Sequence, residues 1–317
     1  MNPTLDRRSF VAASAAGVAA LSAAGAAAAE WKTRLHKALI GVPNEATLKK
    51  FKDAGFEGIE STAHAVTQKE AEAARATAEK MGMKIHSVLY GWANFNKAET
   101  LEKDLAAVEN ALRATQAYGA DALLLVPCRI GGMPMPQPWE FDIEFDEKTG
   151  HVKRVAAGDN EPYRQYIEAH NHAVDASRQA VKRLIPTAEK TGVVIALENV
   201  WNNLWVKPKI FAHFVASFDS PWVKAYFDIG NHVRYAPPEE WFQALGKLIV
   251  KLHVKDFKLN PDGKGGNFVE IRDGSVNWPA VREHIERIGY NGWLTIEGGR
   301  LPLEEQNRRL ELIIAGK

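Results

Sequence analysis

Four residues of metal-ligand type each close a short apolar run in the second half of the chain: Glu198 ends VVIALE, Asp228 ends VKAYFD, His253 ends KLIVKLH and Glu297 ends WLTIE. Two glutamates, an aspartate and an imidazole form a suitable set for one divalent cation. Such a set can do more than hold a metal. A divalent cation polarises a carbonyl oxygen, and a carboxylate beside it can take up or return a proton. Each residue also has a plainer reading: Glu198 and Glu297 as halves of buried ion pairs, Asp228 as a turn acid ahead of Gly230-Asn231, and His253 as a core histidine.

The spacing says which elements must carry them. Separations of 30, 25 and 44 residues are each about one strand–helix unit, with a longer loop before the last. Short continuous apolar runs predict buried parallel strands. A strand–helix repeat that gathers its strand ends is a (β/α)8 barrel, whose chemistry sits at the C-terminal rim.

The rest of the chain keeps that rhythm from Lys37 onward. Strands are predicted at 38–42, 58–61, 84–90 and 122–127. Helices are predicted from Glu45 to Gly55, from Lys69 to Met81, through Leu101, Leu105, Val108 and Leu112, from Tyr163 to Lys190 with Ile167, Val174, Val181 and Ile185 on one face, and from Leu303 to Ile314. The expected fold class is α/β, a single (β/α)8 TIM barrel over residues 30–317. No Gly-x-Gly-x-x-Gly turn supports a dinucleotide site. About 35 residues, Cys128 to Pro162, break the rhythm. Within them Phe141, Ile143 and Phe145 alternate with acids, Lys148-Thr149-Gly150 makes a turn, and Val152 and Val155 follow. That pattern predicts an inserted β-hairpin loop after strand four, serving as a lid or a subunit contact.

The chain of 317 residues carries 40 basic and 39 acidic side chains. Without residues 1–29 the balance is 38 to 38, so electrostatics offer no case for nucleic acid or an anionic membrane as partner. Cys128 is the sole cysteine, which excludes an intrachain disulfide. Asp6-Arg7-Arg8-Ser9-Phe10-Val11 resembles a twin-arginine export signal, and an alanine-rich stretch with Ala-x-Ala sites runs on to Ala29. The expectation is a signal peptide over residues 1–29, handled by the twin-arginine translocase, and a periplasmic mature protein without a membrane anchor. A retained membrane anchor is the alternative, since the run is about long enough to span a bilayer.

Leu197-Glu198-Asn199, Phe227-Asp228-Ile229-Gly230-Asn231, Leu252-His253-Val254-Lys255-Asp256 and Gly289-Tyr290-Asn291-Gly292-Trp293 leading into Thr295-Ile296-Glu297 carry a family resemblance. From about Lys37 to Ile314 the chain resembles the xylose isomerase-like barrels, the sugar-phosphate isomerase/epimerase group. The resemblance implies one divalent cation on Glu198, Asp228, His253 and Glu297: manganese first, with magnesium, cobalt or zinc as alternatives. It implies Glu198 and Glu297 as exchanging acid and base on opposite faces of a sugar. Asp228 and a neutral His253, with its second nitrogen hydrogen-bonded, are then holding ligands. The sequence departs from relatives at Asn231, where several carry a histidine and here His232 lies next door, and at Leu259, where some carry a substrate-gripping arginine. Lys255 or Arg300 would have to take over that grip. The three-zinc DNA-repair endonucleases of the superfamily need more histidines and aspartates than these strand ends supply.

The expected reaction is proton transfer beside a carbonyl, isomerising or epimerising a non-phosphorylated sugar or polyol through an enediolate. Elimination or hydration on a 3-keto-glycoside or keto-inositol is the alternative within enzymes, and an inactive exported sugar-binding barrel the alternative outside them. Rim candidates for substrate contact are Lys255, Asn231, His232, Glu60, His64, His86, Trp92, Trp201 and Arg300, with His86 alternatively inside the barrel. Trp205 is a further aromatic near Glu198. His36, His151, His170, His172, His213 and His284 are expected at the surface, and Cys128 as a passive thiol. A homo-oligomer is an open expectation.

Overall fold

The computed structural model describes residues 30–317; the proposed export signal lies outside them. Among the described residues the elements run β1 (Leu35–Gly41), α1 (Glu45–Asp53), β2 (Gly58–Ser61), α2 (Gln68–Lys80), β3 (Lys84–Trp92), α3 (Leu101–Ala117) and β4 (Ala122–Val126). Next come β5 (Phe141–Phe145), β6 (Val152–Ala156), α4 (Arg164–Thr191), β7 (Val194–Glu198), α5 (Pro208–Ala216), β8 (Val223–Asp228) and α6 (Pro238–Leu245). The chain closes with β9 (Ile249–Val254), β10 (Asp256–Leu259), β11 (Gly266–Val269), α7 (Trp278–Ile288), β12 (Gly292–Ile296) and α8 (Leu303–Ile314).

Eight strands form a closed barrel in the order β1-β12-β9-β8-β7-β4-β3-β2, and each pairs in parallel with its neighbours. Every strand neighbours the next barrel strand in the chain, as right-handed βα crossovers require. The fold is a single (β/α)8 TIM barrel.

Local chemistry punctuates the repeat. Asn44 caps α1 by accepting from the Thr47 N–H, and Thr67 and Glu70 make a reciprocal capping box on α2. Gly192 and Gly289 end α4 and α7 at φ of 67° and 68°, the left-handed turn that a Cβ disfavours. The main core lies between strands and helices and includes Ile59, Ile85, Val88, Leu123, Leu125, Ile195, Leu197, Phe227, Leu252 and Leu294. A smaller apolar cluster inside the barrel comprises Ala122, Leu124, Val126, Ala196 and Tyr226.

The other half of the barrel interior is polar, and two register shifts create it. Between β2 and β3 the pairing jumps from Ile59–Ile85 to Glu60–Ser87, so His86 and Ser87 both turn inward opposite Glu60. Between β8 and β9 it jumps from Ala225–Ile249 to Tyr226–Lys251. Since strand side chains alternate, the extra residue on β9 decides that His253 faces the interior and Leu252 the helices.

Two antiparallel pairs decorate the C-terminal side. β5 pairs with β6 and rests on the chain's own helices: Val152 N–H donates to Asn171 of α4, and Phe145 packs on His213 of α5. β10 pairs with β11 directly after β9, where the sequence predicts a loop before the last strand. Its anchor is Asp256, fully buried, whose carboxylate accepts from the backbone N–H groups of Phe257, Arg272, Gly274 and Val276 and from the Trp278 indole. Gly274 passes so close that a Cβ there would lie 2.0 Å from Asp256 Oδ1.

Two of the histidines expected at the surface are buried. His170 sits on the inward face of α4 with Tyr166, Ala173, Val174 and Ser177, beside the stripe of Ile167, Val174, Val181 and Ile185, which also packs on the core. His284 lies on the inward face of α7, stacked on Phe242. Cys128 is buried against Ser177 Oγ, and burial pushes its thiol up to about 11. No helix among the described residues is long and apolar enough to cross a membrane.

Candidate metal centre

The ends of β7, β8, β9 and β12 bring Glu198, Asp228, His253 and Glu297 together, with one ligand atom from each lying within 4.8 Å of all the others. His253 Nδ1 is 3.4 Å from Glu198 Oε1, 3.2 Å from Glu297 Oε2 and 3.9 Å from Asp228 Oδ2. Cation–ligand bonds of about 2.0–2.2 Å set neighbouring ligand atoms about 3.0–3.5 Å apart, so the spacing is near what one cation needs. Asp228 and His253 are fully buried, Glu198 nearly so, and the Glu297 side chain is 29% exposed, which opens the cluster on one side only.

Each ligand is held by its surroundings. Asp228 Oδ1 accepts from the Gly230 and Asn231 N–H groups, while Asn199 bonds both the N–H and the carbonyl of Asp228 across the β7–β8 gap. Gly230 must be glycine-like for this turn, because a Cβ there would meet the Lys255 carbonyl at 2.6 Å. Asp228 Oδ2 and Glu297 Oε2 are buried and accept no hydrogen bond. Buried carboxylate oxygens are costly without a partner, and these two point into the cluster. The residues therefore fit a bound divalent cation.

Electrostatics agree. Burial pushes the Asp228 carboxyl well above the usual carboxylate range, and Glu297 adds to this while Lys255 opposes it. Burial raises Glu198 as well. Burial disfavours charge on His253, yet Tyr226, Glu60 and the neighbouring glutamates hold its imidazole well above its ordinary value. Burial acts against Glu297 ionising, but His253, Asp228 and Lys255 outweigh it and keep that carboxyl low. A cluster so rich in carboxylate retains protons that a cation would displace.

The rim candidates divide. Lys255 Nζ lies 3.0 Å from Glu297 Oε1 and 3.2 Å from Asn231 Oδ1, so both line the cluster. Asn231 Nδ2 also reaches Glu198 Oε1 at 3.4 Å. Trp201 donates its indole N–H to the Asn231 carbonyl and packs on Phe268 of β11. Phe268 is 40% exposed and lies under Lys255 at 4.6 Å. Glu297, Lys255, Lys258, Phe268, Glu270 and Arg300 border one cavity of about 650 Å³.

The remaining candidates stand elsewhere. His232 is 1% exposed, bonded to the Val200 carbonyl and packed between Tyr235 and Trp241; burial lowers it to about 3. Its neighbour Asn231 takes the inward position. His86 is inside the barrel, stacked on Trp293 and bonded to Thr295 Oγ1. His64 faces Tyr90 in a separate cavity bordered by α2 and α3, because the chain turns outward after β2. Trp92 lies under the Arg129 guanidinium at 4.1 Å, and Trp205 is core, stacked on Phe214. Glu60 is fully buried and bonded to His253, which corrects its assignment to substrate. Tyr226, whose ring lies 4.3 Å from that of His253, and Phe268 escaped the sequence reading. An aromatic inside a strand carries no mark of its own.

Comparison with known proteins agrees with the fold. The uncharacterized protein MJ1311 of Methanocaldococcus jannaschii is 28% identical over 130 residues, covering 39% of this chain and 43% of that protein, so less than half of the relative is matched. The 3-keto-D-glucoside 4-epimerase YcjR of E. coli superposes with a TM-score of 0.63 at 16% identity, over 89% of this chain and 99% of that one. Mannonate dehydratase of Streptococcus suis serotype 2 does so with a TM-score of 0.65 at 13% identity, over 89% and 93%. At such identities the likeness is one of fold. Residues 48–312, most of the chain, match a family model described as xylose isomerase-like TIM barrel. The chain belongs to the xylose isomerase-like TIM barrel family.

Proposed function

We propose that the protein is a metal-dependent enzyme that moves a proton beside a carbonyl, isomerising or epimerising a non-phosphorylated sugar or polyol, and that it works in the periplasm after twin-arginine export. The observation that carries this is the placement of Glu198 and Glu297. Glu198 ends β7 and Glu297 directly follows β12, so they flank the Asp228–His253 pair, each within 3.4 Å of His253 Nδ1. Two carboxylates converging on one substrate position from opposite flanks suit removal of a proton from one face and its return on the other.

A divalent cation, manganese by preference, would be held by Glu198, Asp228, His253 and Glu297 and would supply Lewis acidity toward a carbonyl and its neighbouring hydroxyl. The chain's own groups do the rest. His253 and Asp228, with Lys255 at 3.0 Å, hold Glu297 ionised, the form that can accept a proton. Asn231 steadies Glu198, and Trp201 with Phe268 offers an aromatic edge to the apolar face of a ring.

Elimination of water is the second reading, favoured by Lys255. An ammonium 3.0 Å from the base could protonate a departing hydroxyl, and the similar S. suis protein is a dehydratase. A dehydrated product by mass spectrometry would decide for it.

Glu297→Gln tests the proposal. Turnover should fall by about 10²- to 10⁴-fold, the usual worth of a general base, while ligand affinity persists in part. Unchanged turnover would remove Glu297 from the reaction. Cell fractionation that leaves the protein in the cytoplasm would contradict export.

A further inference from the structure

Glu60 is a carboxylate buried in the barrel interior with no route to substrate. Its side chain is fully buried, and both oxygens are in use: Oε2 is 2.6 Å from His253 Nε2, and Oε1 accepts from Ser87 Oγ at 3.0 Å. A short contact between imidazole and carboxylate is a charge-assisted hydrogen bond, about twice as strong as a neutral one. A carboxylate only accepts, so the hydrogen lies on Nε2, and a neutral His253 then carries its lone pair on Nδ1. Nδ1 is the atom that faces Glu198, Asp228 and Glu297.

The fold spends two irregularities on this contact. The bulge on β3 turns Ser87 inward beside Glu60, and the bulge on β9 turns His253 inward to meet it. Bulges interrupt the sheet ladder and characteristically re-aim a side chain next to a site. The Tyr226 ring, 4.3 Å from the imidazole, limits its rotation.

We propose that Glu60, braced by Ser87, is a positioning residue that fixes the tautomer and direction of His253 so that Nδ1 serves as the metal ligand. This rests on the metal-dependent reading above. Partners behind a metal-bound histidine raise its basicity as a ligand and fix its ring, and their loss typically weakens metal affinity by about 10- to 100-fold.

The test is manganese(II) affinity by calorimetry in the wild type and in Glu60→Gln and Glu60→Leu. The glutamine keeps both contacts, its carbonyl accepting from Nε2–H and its amide donating to Ser87 Oγ, but removes the charge. The leucine removes the acceptor. Expected are losses of about 10-fold for Glu60→Gln and about 100-fold for Glu60→Leu. If the leucine variant fails to fold, the glutamine variant alone decides. A second readout separates positioning from mere packing. In the cobalt(II)-loaded protein an exchangeable imidazole N–H resonance from His253 should appear and should move in Glu60→Gln, a shift that a change in packing elsewhere would not produce. Wild-type affinity and an unmoved resonance in folded variants would overturn the role of Glu60 and leave the metal reading standing. A wild type that binds no divalent metal would overturn both.

Discussion

Glu198, Asp228, His253 and Glu297 announce themselves because each is a polar residue ending an apolar run, a pattern that burial alone does not explain. Glu60 ends a similar run, Gly58-Ile59-Glu60, and yet points at a ligand instead of a substrate. Only three-dimensional register distinguishes the two cases. The titration of the cluster gives a prediction at this scale. Glu198, Asp228 and His253 are all raised, so each binds protons more tightly folded than unfolded. Their contribution to the stability of the metal-free protein is fully present below the unfolded-state values and is lost as pH climbs through the raised ones. Glu297 runs the other way, its contribution being lost only as pH falls below the ordinary carboxylate range. Manganese should therefore raise the unfolding temperature more at pH 8 than at pH 6, and its binding at pH 7 should release protons, measured by calorimetry in buffers of different ionisation enthalpy. Equal stabilisation at both pH values and no proton release would contradict this charge balance.

Among elements, the barrel strands and the helices α1 to α4 and α8 were legible to within a few residues, because barrel strands buried on both faces are continuous apolar runs. The bulges on β3 and β9 were not. A bulge adds one residue without altering composition, and in a run such as Ile249-Val250-Lys251-Leu252 the alternation is too weak to reveal it. The inward face of α4 is wider than its apolar stripe: Ile167, Val174, Val181 and Ile185 do pack on the core, but the face extends to Tyr166 and, four residues on, to His170, which the apolar pattern does not mark. The β10–β11 pair was also missed, since its order comes from Asp256 gathering four backbone N–H groups and an indole rather than from strand patterning. That carboxylate holds the element bearing Phe268 beside the Glu198–Asp228–His253–Glu297 cluster. Asp256→Asn turns one acceptor oxygen toward donors as an NH2 group, and buried unsatisfied donors cost about 1–3 kcal/mol each. A stability loss of about 2–4 kcal/mol in urea unfolding is expected, with faster hydrogen exchange in β10 and β11 than elsewhere. Wild-type stability and protection would show that the loop does not depend on Asp256.

For the molecule as a whole, the barrel divides its labour by height. The outer layer and the Ala122–Leu124–Val126 cluster supply apolar packing, the polar half of the interior aims His253, and the rim presents the carboxylates. Family and fold were legible from the repeat and from four strand-end motifs. Substrate was not, because the residues that border the cavity come from segments after two different barrel strands, Phe268 after β9 and Arg300 after β12, whose sequences lack a period. The central proposal is metal-dependent proton transfer beside a carbonyl. The most direct measurement incubates the manganese-loaded protein with a panel of ketoses and 3-keto-glycosides in D2O and follows deuterium incorporation by NMR. The proposal predicts metal-dependent exchange at one carbon adjacent to the carbonyl of the true substrate, lost in Glu297→Gln. Its failure would be a fully loaded protein that exchanges no carbon-bound proton in any sugar of the panel, or exchange that persists unchanged without metal.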